Sequence, residues 1–436
     1  MEPEICKSQT SIFYILSIMQ KFIVKGGSPL KGEVKVSGSK NAALPILAAC
    51  LLSKKPIELS NVPKIADIEK ILKLLERLNV EVDWRGNVLR IDSRLAKKRS
   101  LLNSEVRRLR GSIVLVGAML ARFGEAKLDF PGGCVLGKRP VDAHLKVLSG
   151  LGAQLIDSEC KLHLKADKLI GREISLPEAS VTATENALLA AVTARGKTLL
   201  KLVPTEPHVQ DLCRFLNKLG AKIKGIGTPY LEVEGVRSLS GGKYKITGDY
   251  LEAGTLAIAA AAVPHSDVTI TGIKTDQLDS LWNKMSLAGI EFELGINQVR
   301  VWGAKKLKAI PKLDSRLYPY FPTDLQAPFA VLLTQARGVS KIFETMFEGR
   351  LGYLFELEKM GAQVEILNPH QAIVIGKTPL KGTEVSSCDI RAGAAIVIAS
   401  LIAKGKTEIS NINYIDRGYE NLDEKLRGLG VEIERV

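Results

Sequence analysis

The sequence repeats one unit of about 70 residues six times, and this repetition constrains the fold more than any other feature. Each copy holds an amphipathic, helix-like segment that stops at a glycine or asparagine and is followed at once by an alternating, strand-like segment. The copies occupy residues 71–84, 144–157, 212–225, 281–294, 354–367 and 422–435, with turn positions at Asn79, Gly152, Gly220, Gly289, Gly361 and Gly430. A fixed period of this size predicts a fold assembled from repeated supersecondary units.

Each unit holds a second helix-like segment, which is rich in alanine and other small residues. These segments read NAALPILAACLL, GSIVLVGAMLA, ENALLAAVTA, AGTLAIAAAAV, QAPFAVLLTQA and GAAIVIASLIA. Small residues on every side of a helix predict burial and close packing, and the segments are too short to span a bilayer. Because helix and strand alternate in every unit, we predict an α/β fold with three units in each of two domains.

The predicted domains are discontinuous in sequence. A glycine-rich polar passage at residues 234–249 predicts the point where the chain returns to its first domain. We expect residues 19–39 and 249–436 to form the domain with both termini, residues 40–248 to form the other, and a ligand cleft to lie between them. Residues 1–18 are interpreted as an N-terminal extension or as the result of a misassigned upstream start, because Met19 opens the first strand-like segment and no signal-peptide pattern precedes it.

Charge and cysteine content narrow the class of partner. The net charge of +14 is spread along the chain, and aromatic residues make up only 5%, which favours small anions over nucleic acid. Six cysteines form no CxxC pair, as expected of a reducing, cytoplasmic compartment, and five histidines show no metal-ligand spacing. We therefore expect no metal, no organic cofactor and no membrane span, while the oligomeric state stays open.

One loop, PGGCVLGKRPVDAH at residues 131–144, crowds a thiol with glycines and cations. The adjacent Lys138 and Arg139 would stabilise the thiolate of Cys134, which is the reactive form of cysteine. Composition alone favours a small, buried and inert cysteine, whereas the glycines on both sides of Cys134 argue against a place in a packed core. Both interpretations stay open at this point.

Polar residues also stand at the starts of other small-residue helices, and several of them are cationic. They are Lys40 and Asn41, Arg110, Asp389 and Arg391, and Arg417. The planar arginine fork matches phosphate or carboxylate, so repeated placement at helix starts predicts an anion-binding clamp. Asp324 holds the equivalent position in FPTDLQAP, where it is either a helix N-cap or a general base.

The ordered motifs GEVKVSGSKNAALPILAA, PGGCVLGKRPVDAHLKVLSGLGA, TEPHVQDLCRFLNKLGA, FPTDLQAP, CDIRAGAAIVIA and IDRGYENLDEKLRGLG carry a family resemblance. From about residue 21 to residue 436 the chain resembles the UDP-N-acetylglucosamine 1-carboxyvinyltransferases of the EPSP synthase superfamily. The resemblance implies an inverted α/β barrel in each of two domains. It also implies transfer of the enolpyruvyl group of phosphoenolpyruvate to the 3-hydroxyl of UDP-N-acetylglucosamine, the first committed step of peptidoglycan synthesis.

The resemblance also implies a role for each matched residue. Cys134 is the proton donor to the methylene carbon, and Asp324 is the base at the sugar hydroxyl. Phosphoenolpyruvate is bound by Lys40, Asn41, Arg391 and Arg417, of which Lys40 and Arg417 also act in catalysis. The uridine nucleotide contacts Arg110, Arg139, Pro140, Val141, Asp142, Ala143, Ser180, Val181 and Met346, and Arg350 and Asp389 complete the substrate site.

Two departures from the family pattern leave alternatives open. The family usually has Asn-Arg-Phe-Met-His where this chain has Gly349 to Tyr353, although Arg350 is kept, and Thr182 replaces a usual glycine. The alternatives are the sister transferase that acts on shikimate 3-phosphate, a catalytically weakened paralogue with a binding role, and a nucleic-acid-binding or end-processing protein. The absence of a cysteine loop in the sister enzyme, and the low aromatic content, count against the first and the last.

Overall fold

The computed structural model describes residues 20–132, 140–157 and 161–436, so the predicted extension 1–18, Cys134 and Arg139 lie outside the described residues. The α-helices of the described part are α1 (Lys40–Cys50), α2 (Ala66–Arg77), α3 (Ser104–Arg108), α4 (Leu115–Phe123), α5 (Asp142–Gly150), α6 (Val181–Ala191), α7 (Pro207–Lys218), α8 (Tyr250–Ala262), α9 (Asp279–Leu287), α10 (Gln326–Thr334), α11 (Tyr353–Lys359), α12 (Ile390–Ile402) and α13 (Leu422–Gly428). Short 3-10 helices cover Arg110–Val114, Thr275–Leu278, Thr323–Leu325, Arg350–Gly352 and Ile412–Arg417.

The strands are short and numerous, as expected for a repeated unit. They are β1 (Phe22–Lys25), β2 (Lys31–Lys35), β3 (Ile57–Ser60), β4 (Glu81–Arg85), β5 (Val88–Asp92), β6 (Glu125–Leu128), β7 (Gln154–Asp157), β8 (Leu162–Lys165), β9 (Glu173–Ser175), β10 (Lys197–Lys201), β11 (Lys222–Lys224), β12 (Tyr230–Glu234), β13 (Gly242–Lys245), β14 (Asp267–Thr271), β15 (Phe292–Leu294), β16 (Gln298–Trp302), β17 (Lys312–Ser315), β18 (Gly338–Glu344), β19 (Gln363–Asn368), β20 (Gln371–Gly376), β21 (Glu384–Ser386), β22 (Lys406–Ser410) and β23 (Glu432–Arg435).

These strands form six sheets that share one topology. In the sheet β13-β3-β5-β4 the first pair is parallel and the next two pairs are antiparallel. Four other sheets repeat this pattern, in the orders β9-β10-β12-β11, β2-β14-β16-β15, β17-β18-β20-β19 and β21-β22-β1-β23. In the three-stranded sheet β6-β8-β7, an isolated parallel bridge from Leu101 to Leu128 stands in place of the fourth strand. The predicted α/β class and sixfold repeat are confirmed; the sheets described here are separate and are not joined into one closed barrel.

The predicted turn positions all adopt the left-handed backbone conformation that ends a helix. Their φ angles are 65° at Asn79, 101° at Gly152, 100° at Gly220, 79° at Gly289, 94° at Gly361 and 92° at Gly430. Glycine and asparagine tolerate this conformation better than other residues, so each amphipathic helix ends there and a strand begins immediately afterwards. The repeat in the sequence is therefore a repeat of helix-terminating turns.

The small-residue helices α1, α4, α6, α8, α10 and α12 form the interior, and all residues of α8 and α10 are buried. Close approach requires the small residues: a Cβ added to Gly117 in α4 would lie 2.3 Å from the carbonyl oxygen of Asn186 in α6. The side chain of Asn186 accepts from the Gly117 amide at 2.6 Å and donates to the Ile113 carbonyl at 2.9 Å. Across the described residues, no helix has the length and apolar content needed to cross a membrane.

The buried side chains separate into two hydrophobic clusters. One runs from Ala42 to Ile246, and the other joins residues 22–36 to residues 250–433. The chain passes between the clusters twice, and the two passages pair with each other, since the Ser39 amide donates to the Thr247 carbonyl at 2.8 Å. The predicted domain limits, 39/40 and 248/249, stay a prediction that these clusters support.

Candidate active site

A cleft of about 320 Å³ lies between the two clusters, and both contribute to its walls. The helix starts predicted to bind anions meet here: the cleft is lined by the predicted residues Lys40, Asn41, Arg110, Val181, Asp324, Met346, Arg350, Asp389, Arg391 and Arg417. Most of them lie at or next to the first turn of a helix, where backbone N–H groups and the helix dipole favour a bound anion.

The first group of charges centres on Asp67, a buried carboxylate at the start of α2. Lys40 Nζ lies 2.8 Å from Asp67 Oδ2, and Arg417 Nε donates to Asp67 Oδ1 at 2.9 Å. Burial raises the pKa of Asp67, but the charges of Lys40 and Arg417 outweigh burial and lower the pKa to about 2. Residues from the two clusters thus hold one anion between them, which shows that these two cations converge on a single anion-sized position.

The second group of charges centres on Asp324, in the 3-10 helix that precedes α10. Arg350 Nη1 donates to Asp324 Oδ1 at 2.7 Å, and Arg391 Nε donates to Asp324 Oδ2 at 3.1 Å. Burial raises the pKa of Asp324, but the Arg391 and Arg350 guanidinium groups together hold that pKa well below its usual range. The Arg391 guanidinium also lies 5.1 Å from the centre of the Tyr419 ring, a cation–π contact that fixes its orientation.

The altered run at Gly349 to Tyr353 still delivers its arginine to the cleft. Arg350 is buried and also donates to Thr323 Oγ1 at 2.8 Å. The Thr323 hydroxyl donates in turn to the buried Glu344, whose carboxylate accepts from the Met346 backbone amide at 2.9 Å. A chain of hydrogen bonds therefore connects Arg350 with the loop that carries Met346.

Asp389 lines the cleft and also has a structural role. It is the N-cap of α12, and its Oδ1 accepts from the backbone amides of Arg391 at 2.7 Å and Ala392 at 2.9 Å. Such a cap satisfies amide groups that have no partner within the helix. Asp389 therefore positions the start of α12, the helix that presents Arg391 to the cleft.

Other predicted residues lie outside the lining of the cleft. These are Pro140, Val141, Asp142 and Ala143 at the start of α5, and Ser180 before α6. Arg110, which does line the cleft, donates to the Pro131 carbonyl at 3.1 Å and to the Pro140 carbonyl at 3.4 Å. Arg110 thus connects the cleft wall with the segment that leads into α5.

Thr182 forms a contact that glycine at the same position could not form. Its Oγ1 lies 2.9 Å from Nε2 of His144, so a hydrogen bond joins α6 to α5. Burial, followed by the positive charge of Arg110, lowers the pKa of His144 to about 4, so the imidazole is neutral at pH 7. The departure from the family pattern therefore adds a specific polar contact beside the cleft.

The cleft also holds polar residues that sequence reasoning did not single out: Asp67, Glu185, Glu206 and His208. Burial raises the pKa of Glu206 to about 7 and lowers the pKa of His208 to about 4. A usable signal existed for Glu185, which is the one charged residue in a helix of small residues. Buried atoms without a hydrogen-bond partner include Glu206 Oε2, His208 Nδ1, Arg350 Nε and Arg391 Nη1. Since buried polar groups normally have partners, these atoms indicate a polar ligand.

The sequence matches one known protein family and individual carboxyvinyltransferases over nearly its whole length. The model of the EPSP synthase (3-phosphoshikimate 1-carboxyvinyltransferase) family matches residues 24–426. A UDP-N-acetylglucosamine 1-carboxyvinyltransferase of Halothermothrix orenii is 43% identical over 418 residues, covering 96% of this chain and 100% of that protein. One of Borrelia garinii is 41% identical over 425 residues, covering 96% and 99%.

Solved structures share the fold at lower sequence identity. The enolpyruvyl transferase NikO from Streptomyces tendae superimposes with a TM-score of 0.87 at 24% identity, covering 96% of this chain and 99% of that one. An EPSP synthase from Acinetobacter baumannii superimposes with a TM-score of 0.76 at 19% identity, covering 96% and 100%. At these identities the likeness establishes the fold alone.

Proposed function

This chain belongs to the EPSP synthase family of carboxyvinyltransferases, and from that premise we propose that it transfers the enolpyruvyl group of phosphoenolpyruvate to UDP-N-acetylglucosamine. The product is the 3-enolpyruvyl ether of the nucleotide sugar, and inorganic phosphate is released. The reaction is the enolpyruvyl transfer step of peptidoglycan synthesis. We accordingly propose that the protein acts in the cytoplasm and contributes to cell-wall growth, cell shape and cell division.

The observation that carries this proposal is the convergence of Lys40 and Arg417 on Asp67 in the same cleft that holds the Asp324 carboxylate. Phosphoenolpyruvate carries a phosphate and a carboxylate, so it requires two cationic positions close together. Lys40 and Arg417 supply one position, with Asn41 beside them, and Arg391, whose Nη1 has no partner, supplies the other. The phosphate would then take the place of Asp67 between the first two cations.

The proposed reaction begins at the sugar hydroxyl. Oxygen O3 attacks C2 of phosphoenolpyruvate, Asp324 accepts the O3 proton, and Cys134 gives its thiol proton to C3, which forms a tetrahedral adduct. In the second step Cys134 recovers a proton from C3, the bond from C2 to the phosphate oxygen breaks, and the double bond is restored. Atoms and charges balance, because the proton held by Asp324 returns to solvent or to the departing phosphate.

Electrostatics support the timing of the first step. While it is paired with Arg350 and Arg391, Asp324 is a weak base, since both guanidinium groups lower its pKa. Binding of an anionic substrate to Arg391 would weaken that hold and raise the pKa of the carboxylate. Asp324 would therefore become an effective base only after phosphoenolpyruvate has bound.

Nucleotide binding is assigned to the side of the cleft where α6 begins. Arg110 and Val181 line the cleft on this side, and Met346 lines it from the other half of the protein. Residues Arg139, Pro140, Val141, Asp142, Ala143 and Ser180 are proposed as further nucleotide contacts. Arg139, like Cys134, lies outside the described residues.

A phosphate-release assay tests the function. We expect release of phosphate from phosphoenolpyruvate with UDP-N-acetylglucosamine and none with shikimate 3-phosphate. Release with shikimate 3-phosphate alone would identify the sister transferase, and release with neither acceptor would identify a binding paralogue. The retained contact between Arg350 and Asp324 favours a competent enzyme over a weakened one.

Replacing Thr182 by valine tests the nucleotide side of the cleft. Valine keeps the shape but leaves the buried His144 Nε2 without its partner, so we expect KM for UDP-N-acetylglucosamine to rise about 3- to 10-fold. KM for phosphoenolpyruvate and kcat should change less than about twofold. The matched control is Thr184→Val in the same helix, because Thr184 Oγ1 donates only to the Ser180 carbonyl, at 2.9 Å. Equal KM values in Thr182→Val and the unmodified enzyme would contradict the assignment.

A further inference from the structure

Glu185 is a carboxyl group whose burial the proposed reaction does not explain. It lies one helical turn after Val181 in α6, is 2% exposed, and its side chain lines the cleft. Burial and the charge of Glu206 are the only influences on its pKa, and no hydrogen bond or cation of the described residues contributes. A carboxyl group that is largely withdrawn from water without such a partner costs stability, so its presence in the cleft wall indicates that a ligand satisfies it.

Neighbouring polar residues of the same helix have complete structural roles, which makes Glu185 distinct. Asn186 bonds to the backbone of Gly117 and Ile113 in the preceding repeat. Thr184 donates to the Ser180 carbonyl one turn earlier. Thr184 and Asn186, on either side of Glu185, therefore hold α6 in place, whereas the Glu185 carboxyl group has no such structural role.

The surroundings of Glu185 determine which chemistry it can recognise. Burial, followed by the negative charge of Glu206, raises the pKa of Glu185 well above its usual value, which favours the protonated form of the carboxyl group. Burial also raises the pKa of the neighbouring Cys213 thiol in α7, to about 12. A protonated carboxyl group offers one donor and one acceptor, and beside Glu206 it disfavours an anion. The matching partner is a neutral group such as an amide or a hydroxyl.

We propose that Glu185 is a specificity-determining residue that exchanges a hydrogen bond with a neutral polar group on the sugar ring of the nucleotide sugar. The proposal rests on the function proposed above. Glu185 lies one helical turn after Val181, on the nucleotide side, and near enough to Glu206 for the charge of Glu206 to act on it. The charges of Asp324 and Arg391 in turn reach His208, two residues after Glu206. Because Asp324 is the proposed base at O3, the groups on the adjacent ring carbons, the acetamido group and the 4-hydroxyl, are the ones within this region.

Three substitutions separate recognition from packing. Glu185→Gln keeps a donor and an acceptor, so KM for UDP-N-acetylglucosamine should stay within about threefold. Glu185→Met removes both, and Glu185→Asp withdraws the carboxyl group by one methylene, so each should raise that KM about 5- to 50-fold. KM for phosphoenolpyruvate and the Kd of UDP alone should change less than about twofold, because neither ligand carries the sugar.

Thermal stability distinguishes a binding role of Glu185 from a packing role, because replacing a residue needed for packing would lower the midpoint of unfolding. Glu185→Met replaces an unpaired buried carboxyl group by an apolar side chain, so its midpoint of thermal unfolding should rise by about 2 °C or more. The control is Thr198→Val in β10, a residue of the same half that is 0% exposed, has an unpartnered hydroxyl and does not line the cleft. It should raise stability in the same way and leave every KM unchanged.

Analogues of the nucleotide sugar identify the sugar group that forms a hydrogen bond with Glu185. UDP-glucose lacks the acetamido group, and UDP-N-acetylgalactosamine has the 4-hydroxyl inverted. If Glu185 binds the acetamido group, Glu185→Met should not change KM for UDP-glucose. If Glu185 binds the 4-hydroxyl, Glu185→Met should not change KM for UDP-N-acetylgalactosamine. Unchanged KM in Glu185→Met and Glu185→Asp, or an equal loss of affinity for UDP alone, would overturn the proposal. So would a loss of stability in Glu185→Met together with a proportionate loss of all activities. Lack of turnover by the unmodified enzyme would instead refute the proposed function.

Discussion

Asp324→Asn is expected to lower kcat by about 10²- to 10⁴-fold, because asparagine cannot accept the proton of the attacking hydroxyl. The same substitution removes the negative charge that holds Arg350 and Arg391 in the cleft. Two buried guanidinium groups would then lack their carboxylate, which should lower the midpoint of thermal unfolding of the free protein. Steady-state kinetics and thermal unfolding on the same preparation measure both effects.

Anion binding should respond to Asp324→Asn in the opposite sense. With the carboxylate gone, Arg391 has its full charge available for phosphoenolpyruvate, so the Kd of this substrate should fall or stay equal while kcat collapses. Phosphoenolpyruvate should also restore much of the lost stability. Asp267→Asn is the matched control, since it removes a carboxylate from an exposed pair with Arg300 on the surface and should alter neither kcat nor Kd. A variant with normal kcat would refute the role of Asp324 as base.

We propose that the epoxide fosfomycin alkylates Cys134 of the unmodified enzyme, so Cys134→Asp is expected to retain turnover within about tenfold and to be insensitive to fosfomycin. A carboxylic acid can also donate a proton to carbon and recover it, whereas it is a much weaker nucleophile toward an epoxide than a thiolate is. Cys134→Ala, which can do neither, should lose turnover about 10²- to 10⁴-fold. Progress curves with and without fosfomycin, together with intact-protein mass, distinguish these outcomes.

The other thiols of the described part provide controls for that experiment. Cys50 and Cys213 are buried, and burial raises the pKa of both, which leaves them unreactive. Cys388 is exposed, so Cys388→Ala tests the one accessible thiol of the described residues and should leave turnover and fosfomycin sensitivity unchanged. Persistent inactivation of Cys134→Asp by fosfomycin would contradict the role given to Cys134.

Local features of the fold were predictable because they depend on local sequence. Asn79 and the five equivalent glycines predicted helix ends, and all six positions have positive φ. The alanine-rich segments predicted buried helices, and α8 and α10 are buried along their whole length. Lys40, Arg391 and Asp324 were singled out because each stands at the start of a small-residue helix in its repeat, and all three line one cleft.

Partnerships across the cleft were not predictable from the sequence. Asp67 lies in an ordinary amphipathic helix, and nothing local indicates that Arg417, 350 positions away, donates to it. The pairing of Arg350 and Arg391 with Asp324 likewise follows from the packing of separate repeats. Thr182 was noted as a departure, but its contact with His144 required the packing of α5 against α6.

The sequence by itself determined the repeated unit, the α/β class, the buried helices and the helix starts that carry charge. Each of these follows from residues within one or two turns of one another, because backbone conformation and amphipathic period are local properties. Only the tertiary structure decided which charges meet, which carboxyl groups are ionised and which polar atoms await a ligand. Those properties depend on distance and burial in space, and residues hundreds of positions apart acquire them only when the two halves pack around the cleft.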